Sequence, residues 1–196
     1  MRAIRRRLGA DSRGAAMLEF ALVAPALLMF MMASFDLAWR AYAGAVLQGA
    51  MQKAGRDSGL ESGRTTNTQI DNKVKAIVQP VMNNATFVFD RKNHATFQAA
   101  GKPEPFTDGN SNGRRDAGEC FEDSNANLQW DMIAGRSGQG GARDITVYKV
   151  TMTYARIFPM YGLLGWSPNQ EISATTVLRN QPYAAQATRP VTVICE

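Results

Sequence analysis

Arg13-Gly14-Ala15-Ala16-Met17-Leu18-Glu19-Phe20 runs directly into Ala21-Leu22-Val23-Ala24-Pro25-Ala26-Leu27-Leu28-Met29-Phe30-Met31-Met32-Ala33-Ser34-Phe35. Residues 15–35 are 21 residues carrying one charge, Glu19. At about 1.5 Å of rise per helical residue they cover roughly the 30 Å hydrocarbon core of a bilayer. The stretch therefore reads as a membrane-spanning helix. Arg2, Arg5, Arg6, Arg7 and Arg13 precede it, and the next charges beyond it are Asp36 and Arg40. The positive-inside bias then places the N-terminus in the cytoplasm and exports everything after the span.

Two features set this segment apart from a secretory signal. Such a signal carries its small-residue cleavage site after the apolar run, where Ala33 and Ser34 offer only a poor one, and here a glycine stands before the run. Glu19 lies at the mouth of an apolar helix, where an unpaired carboxylate costs a few kcal/mol and so calls for a partner. Gly14, four residues and then Glu19-Phe20 resemble the processing site of type IV prepilins, which a membrane aspartyl peptidase cuts after the glycine. The resemblance implies a mature chain beginning at Ala15, with Glu19 one turn away and able to pair with the terminal amine of a neighbouring subunit. More closely, residues 14–25, with Pro25 inside the span, resemble the start of TadE-like pseudopilins of Flp/Tad pilus systems. The competing reading is an uncleaved N-terminal anchor.

The whole chain has 196 residues and a formal charge of +5. Residues 1–14 hold five Arg and one Asp, so +4 of that charge belongs to the leader and +1 to the rest. The basic residues mark topology, and no nucleic-acid surface is expected. After the helix about 150 residues remain, enough for one small domain. Cys120 and Cys195 both fall on the exported side, where oxidation is permitted, and one pairing is possible. Closing that loop of about 75 residues is worth roughly 4 kcal/mol in the chain-entropy account.

Helical spacing continues beyond the membrane through Leu37, Ala41, Ala45, Val46 and Ala50 to a stop near Gly55-Arg56-Asp57-Ser58-Gly59, making one helix of about 40 residues. Its second half is rich in Ala and Gly, which permits close packing against another element, and Pro25 should kink the first half. Residues 59–67 read as a polar connector. Ile70, Val74, Ile77, Val78 and Val81 mark one face of a short amphipathic helix ending near Pro80. Alternating segments predict strands at 85–90, 144–155 and 172–179, and a short edge strand at 191–194. On the long strand, Thr146, Tyr148, Val150, Met152 and Tyr154 share a face. That strand, the apolar connector from Phe158 to Trp166 and the next strand ending in Arg179-Asn180-Gln181-Pro182 also resemble the C-terminal pattern of TadE-like proteins. The expected fold class is α+β: a long N-terminal membrane-spanning helix continuing into a small exported domain with an amphipathic helix and a short antiparallel sheet. The expected divisions are a leader at 1–14, the span at 15–35, the helix continuation at 36–57 and the domain at 58–196, with a loop insertion at 91–143 too long for a plain connector.

Within that insertion Asp108-Gly109-Asn110-Ser111-Asn112-Gly113-Arg114-Arg115-Asp116-Ala117-Gly118-Glu119 fits the calcium-loop pattern D-x-[DN]-x-[DN]-G-x5-E. Asp108, Asn110 and Asn112 would supply alternating oxygens, Arg114 its carbonyl, and Asp116 and Glu119 the rest of the shell, with Gly113 at the turn. Fifteen residues on, Phe121-Glu122-Asp123-Ser124-Asn125-Ala126-Asn127-Leu128-Gln129-Trp130-Asp131 repeats the pattern. The pair resembles the tandem calcium loops of exported bacterial proteins more than an EF-hand, because Pro103 and Pro105 bar an entering helix. The second copy has Leu128 at the glycine position and Ala134 where the closing Glu would fall, so Asp123, Asn125, Asn127 and Asp131 are not expected to hold an ion alone, although Asp123 or Asp131 could complete the first site. The competing reading is a solvated, Asn-rich turn. The Gly-rich run 135–141 reads as a flexible return.

His94 is the only histidine and no Gly-x-Ser-x-Gly elbow accompanies it, so no enzyme activity is expected. Tyr161 to Trp166 reads as core or as a contact patch. Two functions are left. One is a structural protein of the inner membrane, processed after Gly14, whose partners are the prepilin peptidase, other pilins or pseudopilins, the pilus assembly machinery and membrane lipid. The other is a membrane-anchored, calcium-stabilised exported binding module that never enters a pilus.

Overall fold

The computed structural model describes residues 14–60, 67–159, 161–181 and 190–195. Residues 1–13 of the expected leader 1–14 and most of the expected polar connector at 59–67 lie outside the described residues. Helix α1, Ala15–Leu60, runs unbroken through Pro25 for 46 residues and starts at the residue after Gly14. Helix α2 spans Asn67–Val78 and buries Ile70, Val74 and Val78, the expected apolar stripe. Strands β1 (Thr86–His94), β2 (Phe121–Asp123), β3 (Arg136–Ser137), β4 (Ile145–Ala155), β5 (Asn169–Arg179) and β6 (Thr192–Ile194) follow, with a one-turn helix α3, Tyr161–Leu164, between β4 and β5. The architecture is α+β.

The chain groups into two compact units, one holding α1 through Tyr42 with Ala155–Gln170, the other Ala43–Tyr154 and the chain from Glu171 on. In the second unit the main sheet has the order β3-β1-β4-β5. β1 and β4 pair antiparallel from Thr86 opposite Thr153 to His94 opposite Ile145. On β4 the alternation holds: Thr146, Tyr148, Val150, Met152 and Tyr154 are all buried. Ala43, Leu47, Ala50, Met51 and Ala54 form the buried stripe of α1. Its small residues do what small residues allow, for a Cβ on Gly44 would lie 3.9 Å from Ile172 and one on Gly55 3.3 Å from Thr176. Helix α2 is tied to the sheet by charge as well: Asp71 accepts from Arg91 Nη2 at 2.5 Å and from the Tyr148 hydroxyl at 2.6 Å, and the guanidinium lies 3.9 Å from the Tyr148 ring centre.

Four expectations need correction. β1 extends to His94, so the insertion starts later than 91 and holds two short strands of its own. The third long strand begins at Asn169 rather than 172, extended back by the hairpin closure at Arg156 and Pro168. The strand near 191–194 does not edge the main sheet; β6 pairs antiparallel with β2 in a separate two-stranded sheet. The Gly-rich return is pinned, since Asn93 donates to the Arg136 and Gly138 carbonyls and Asn180 to those of Gln139 and Gly141. Gly140, at φ +76°, admits no side chain there: a Cβ would sit 2.7 Å from Asn93.

Candidate functional site

At the N-terminal site the described residues Gly14, Ala15, Glu19 and Phe20 are all exposed. α1 begins at Ala15, and its first half is exposed and, by length and composition, apolar enough to make it a candidate membrane span. Glu19 sits one turn into the helix, and no described residue forms an ion pair with it.

The two acidic loops are built alike. Asp108 accepts from the Asn112 and Gly113 N–H groups at 3.1 and 2.8 Å, Asn110 from Asn112 at 3.1 Å, and Asn112 from Arg114 at 2.8 Å. Fifteen residues on, Asp123 accepts from Asn127 and Leu128 at 3.3 and 3.0 Å, Asn125 from Asn127 at 3.0 Å, and Asn127 from Gln129 at 2.8 Å. The turns coincide too. Gly113 at φ +76° is matched by Leu128 at +63°, and Ser111 at +59° by Ala126 at +65°. Leu128 thus takes the conformation that glycine adopts freely, at a cost that the Asp123 hydrogen bonds offset.

The closing carboxylate of the second loop comes from outside it. Glu119 closes the first loop by accepting from Gly109 N–H at 2.8 Å and Asp116 N–H at 2.9 Å. Glu104, fully buried, does the same for the second, accepting from Ser124 N–H at 2.8 Å and Asp131 N–H at 3.1 Å. Glu104 and Glu119 are themselves one repeat apart. They exchange roles because the loops are related by a local two-fold through the antiparallel bridge between Phe106 and Phe121, where Thr107 N–H bonds Cys120 O and Glu122 N–H bonds Pro105 O, both at 2.8 Å. The flanks follow the same symmetry, with Trp130 set edge-on to Phe106 at 6.1 Å and Arg115 over Phe121 at 4.7 Å. The Cys120–Cys195 disulfide and the β2–β6 pairing tie this double loop to the C-terminal segment.

Sequence spacing alone missed Glu104, because a linear pattern looks for its last ligand downstream. The signal that could have found it is the repeat itself, which places Glu104 as the equivalent of Glu119. Asp123 and Asp131 accept hydrogen bonds within the second loop, from Ala126 N–H and from Asn127 Nδ2. Burial works to raise the Asp123 pKa, but the N–H groups of Leu128, Ala126, Asn127 and Asn125 outweigh it and hold the carboxyl below its usual value.

For calcium the donor set fits in kind: three carboxylates, two amide oxygens and a carbonyl in the first loop, all hard oxygen ligands. The arrangement as it stands is satisfied by hydrogen bonds. Asn110 and Asn112 both turn their amide nitrogens to Asp116 Oδ2, at 2.8 and 2.7 Å, and Asn125 and Asn127 do so to Asp131. Among the described residues no three His, Cys, Asp or Glu side chains are grouped so as to hold one metal ion. An ion would need those amides to turn their oxygens inward. His94 is buried at the end of β1 against Gly135.

Residues 14–56 match the family model described as TadE-like protein. No curated protein and no solved structure matches the chain.

Proposed function

We propose, from the premise that residues 14–56 are a TadE-like segment, that this chain is a minor pseudopilin taking part in the initiation or assembly of an Flp/Tad-type pilus. The observation that carries the proposal is the coincidence within that segment of Gly14, a helix beginning at Ala15, and Glu19 one turn in. In this reading the prepilin peptidase cuts after Gly14, the basic leader stays cytoplasmic, and the freed amine of Ala15 in one subunit meets Glu19 of another. That pairing removes the cost of an isolated carboxylate in a lipid-facing helix. Lateral association through the span then brings the subunit to the assembly machinery, with the remaining domain on the far side of the membrane.

The double loop has a supporting role in the same proposal: calcium held by Asp108, Asn110, Asn112, Arg114 O, Asp116 and Glu119 would stiffen the insertion beside the disulfide. With no helices flanking the loop, the site belongs to the weak extracellular class, with a dissociation constant of about 10⁻⁴ to 10⁻³ M.

The deciding experiment is the mature N-terminus, read by mass spectrometry from membranes with and without the prepilin peptidase. The expected residue is Ala15 in the first and a residue upstream of Gly14 in the second. Gly14→Leu should leave the leader attached, because bulk at the cut blocks the peptidase. Glu19→Ala should keep cleavage and membrane insertion while lowering piliation. An unprocessed wild-type chain in peptidase-positive cells would sink the pilin reading and leave an anchored binding module.

A further inference from the structure

We propose that the connector at residues 156–168 is an interfacial anchor, a hairpin tip that lies in the headgroup and upper acyl region of the bilayer where α1 leaves it. The connector belongs to the same compact unit as the span. Its depth is set by two contacts: the Phe158 ring lies 6.4 Å from Phe35, the last apolar residue of the run, and Arg156 forms an ion pair with Asp36, the first charge after it. The tip is a built shape. Arg156 N–H bonds Pro168 O at 3.0 Å, its Nε bonds Ser167 O at 3.0 Å, and Trp166 N–H bonds Tyr161 O at 3.0 Å.

What the tip presents is apolar and uncovered. α3 buries none of its residues. Leu163 is 76% exposed and Leu164 44%, Ile157 50% and Trp166 48%. These join the bare surface of the span, where Phe30 and Phe35 are exposed as well. Beside them Arg40, Arg156 and Trp166 line a hollow of about 540 Å³, and the Arg156 guanidinium lies 5.1 Å from the Trp166 ring. Aliphatic side chains at acyl depth, an indole at the boundary and the exposed guanidinium of Arg40 at phosphate level are the order in which a bilayer changes from oil to water. Lipid is the occupant because the patch is continuous with the face that lipid must already cover. The inference requires the span to sit in a bilayer and is independent of the pilus role.

The test uses the full chain in phosphatidylcholine vesicles, with Trp39→Phe and Trp130→Phe so that Trp166 is the only tryptophan. Lipid brominated near the top of the acyl chain should quench most of the Trp166 emission, and aqueous iodide little. Leu163→Asp with Leu164→Asp should reverse that order while the chain remains in the membrane fraction with its disulfide formed; a chain retaining Trp39 alone checks that the span itself is still seated. Wild-type Trp166 quenched by iodide and not by bromolipid would overturn the proposal. So would protection from both quenchers with cross-linking between copies of Leu163→Cys, which would make the patch a subunit contact.

Discussion

Tyr148 is the residue on which the fold's charge pattern turns. Burial first, then its hydrogen bond to Asp71, push its pKa far above the usual 10, against the pull of Arg91. The folded chain thus keeps a proton that the unfolded chain releases from about pH 10 upward. Stability is fully present below that pH and falls above it, by at most about 1.4 kcal/mol per pH unit from this group. Tyr148→Phe should remove that part of the alkaline slope and cost about 1.5–3 kcal/mol at neutral pH, the worth of a hydrogen bond to a charged group, as chemical denaturation at several pH values would measure. Glu104 makes a second prediction. It is fully buried and accepts from Ser124 N–H, Ser124 Oγ and Asp131 N–H. Glu104→Gln sets an amide donor against one of those donors, so it should destabilise the chain by about 1–3 kcal/mol even in chelator, more than Glu119→Gln in the less buried first loop. Equal thermal midpoints for the two variants would show that the burial of Glu104 adds nothing to the cost of losing its acceptor.

Among the elements, α1 is packed to the limit of its small residues on β5. At Gly44 a Cβ would meet Ile172 at an ordinary 3.9 Å, whereas at Gly55 it would press on Thr176 Oγ1 at 3.3 Å. Gly44→Ala should therefore deliver most of the helix-propensity gain of about 1 kcal/mol, visible as a higher melting midpoint in detergent. Gly55→Ala should gain little or lose, because Thr176 has to give way. A rise of the same size in both would mean that the helix does not lie as close to β5 as described. Elements with one strong period were legible: α2 from its apolar stripe, and β4 from strict alternation with one face buried. β2 and β3 were not, since two or three residues carry no period and exist only because a partner strand is brought alongside; β6 was legible as a strand at 191–194, but its pairing with β2 was not.

For the molecule as a whole, the disulfide and the double loop should behave as one device. Cys120 follows Glu119 and precedes β2, so reducing the bond frees the β2–β6 pair and loosens both loops together. At 5 to 10 times its dissociation constant, calcium should stabilise the oxidised chain by about 1 to 1.4 kcal/mol through linkage. Magnesium should do less, because it demands a tighter octahedron. Asp108→Ala should abolish the gain without preventing folding, and reduction should shrink it; identical melts in calcium, magnesium and chelator would return the loops to solvated turns. By itself the sequence determined the apolar span, the charge ahead of it, the family resemblance, the α+β class, the first acidic loop and the cysteine pairing. These rest on composition, on local period, or on there being a single pair to form. Only the tertiary structure decided that Glu104 closes the second loop, that Leu128 adopts the glycine conformation, that the Gly-rich return is pinned by Asn93 and Asn180, and that β6 leaves the main sheet. Each depends on donors and acceptors that are distant in the chain, and a buried polar group takes whichever partner folding brings within reach.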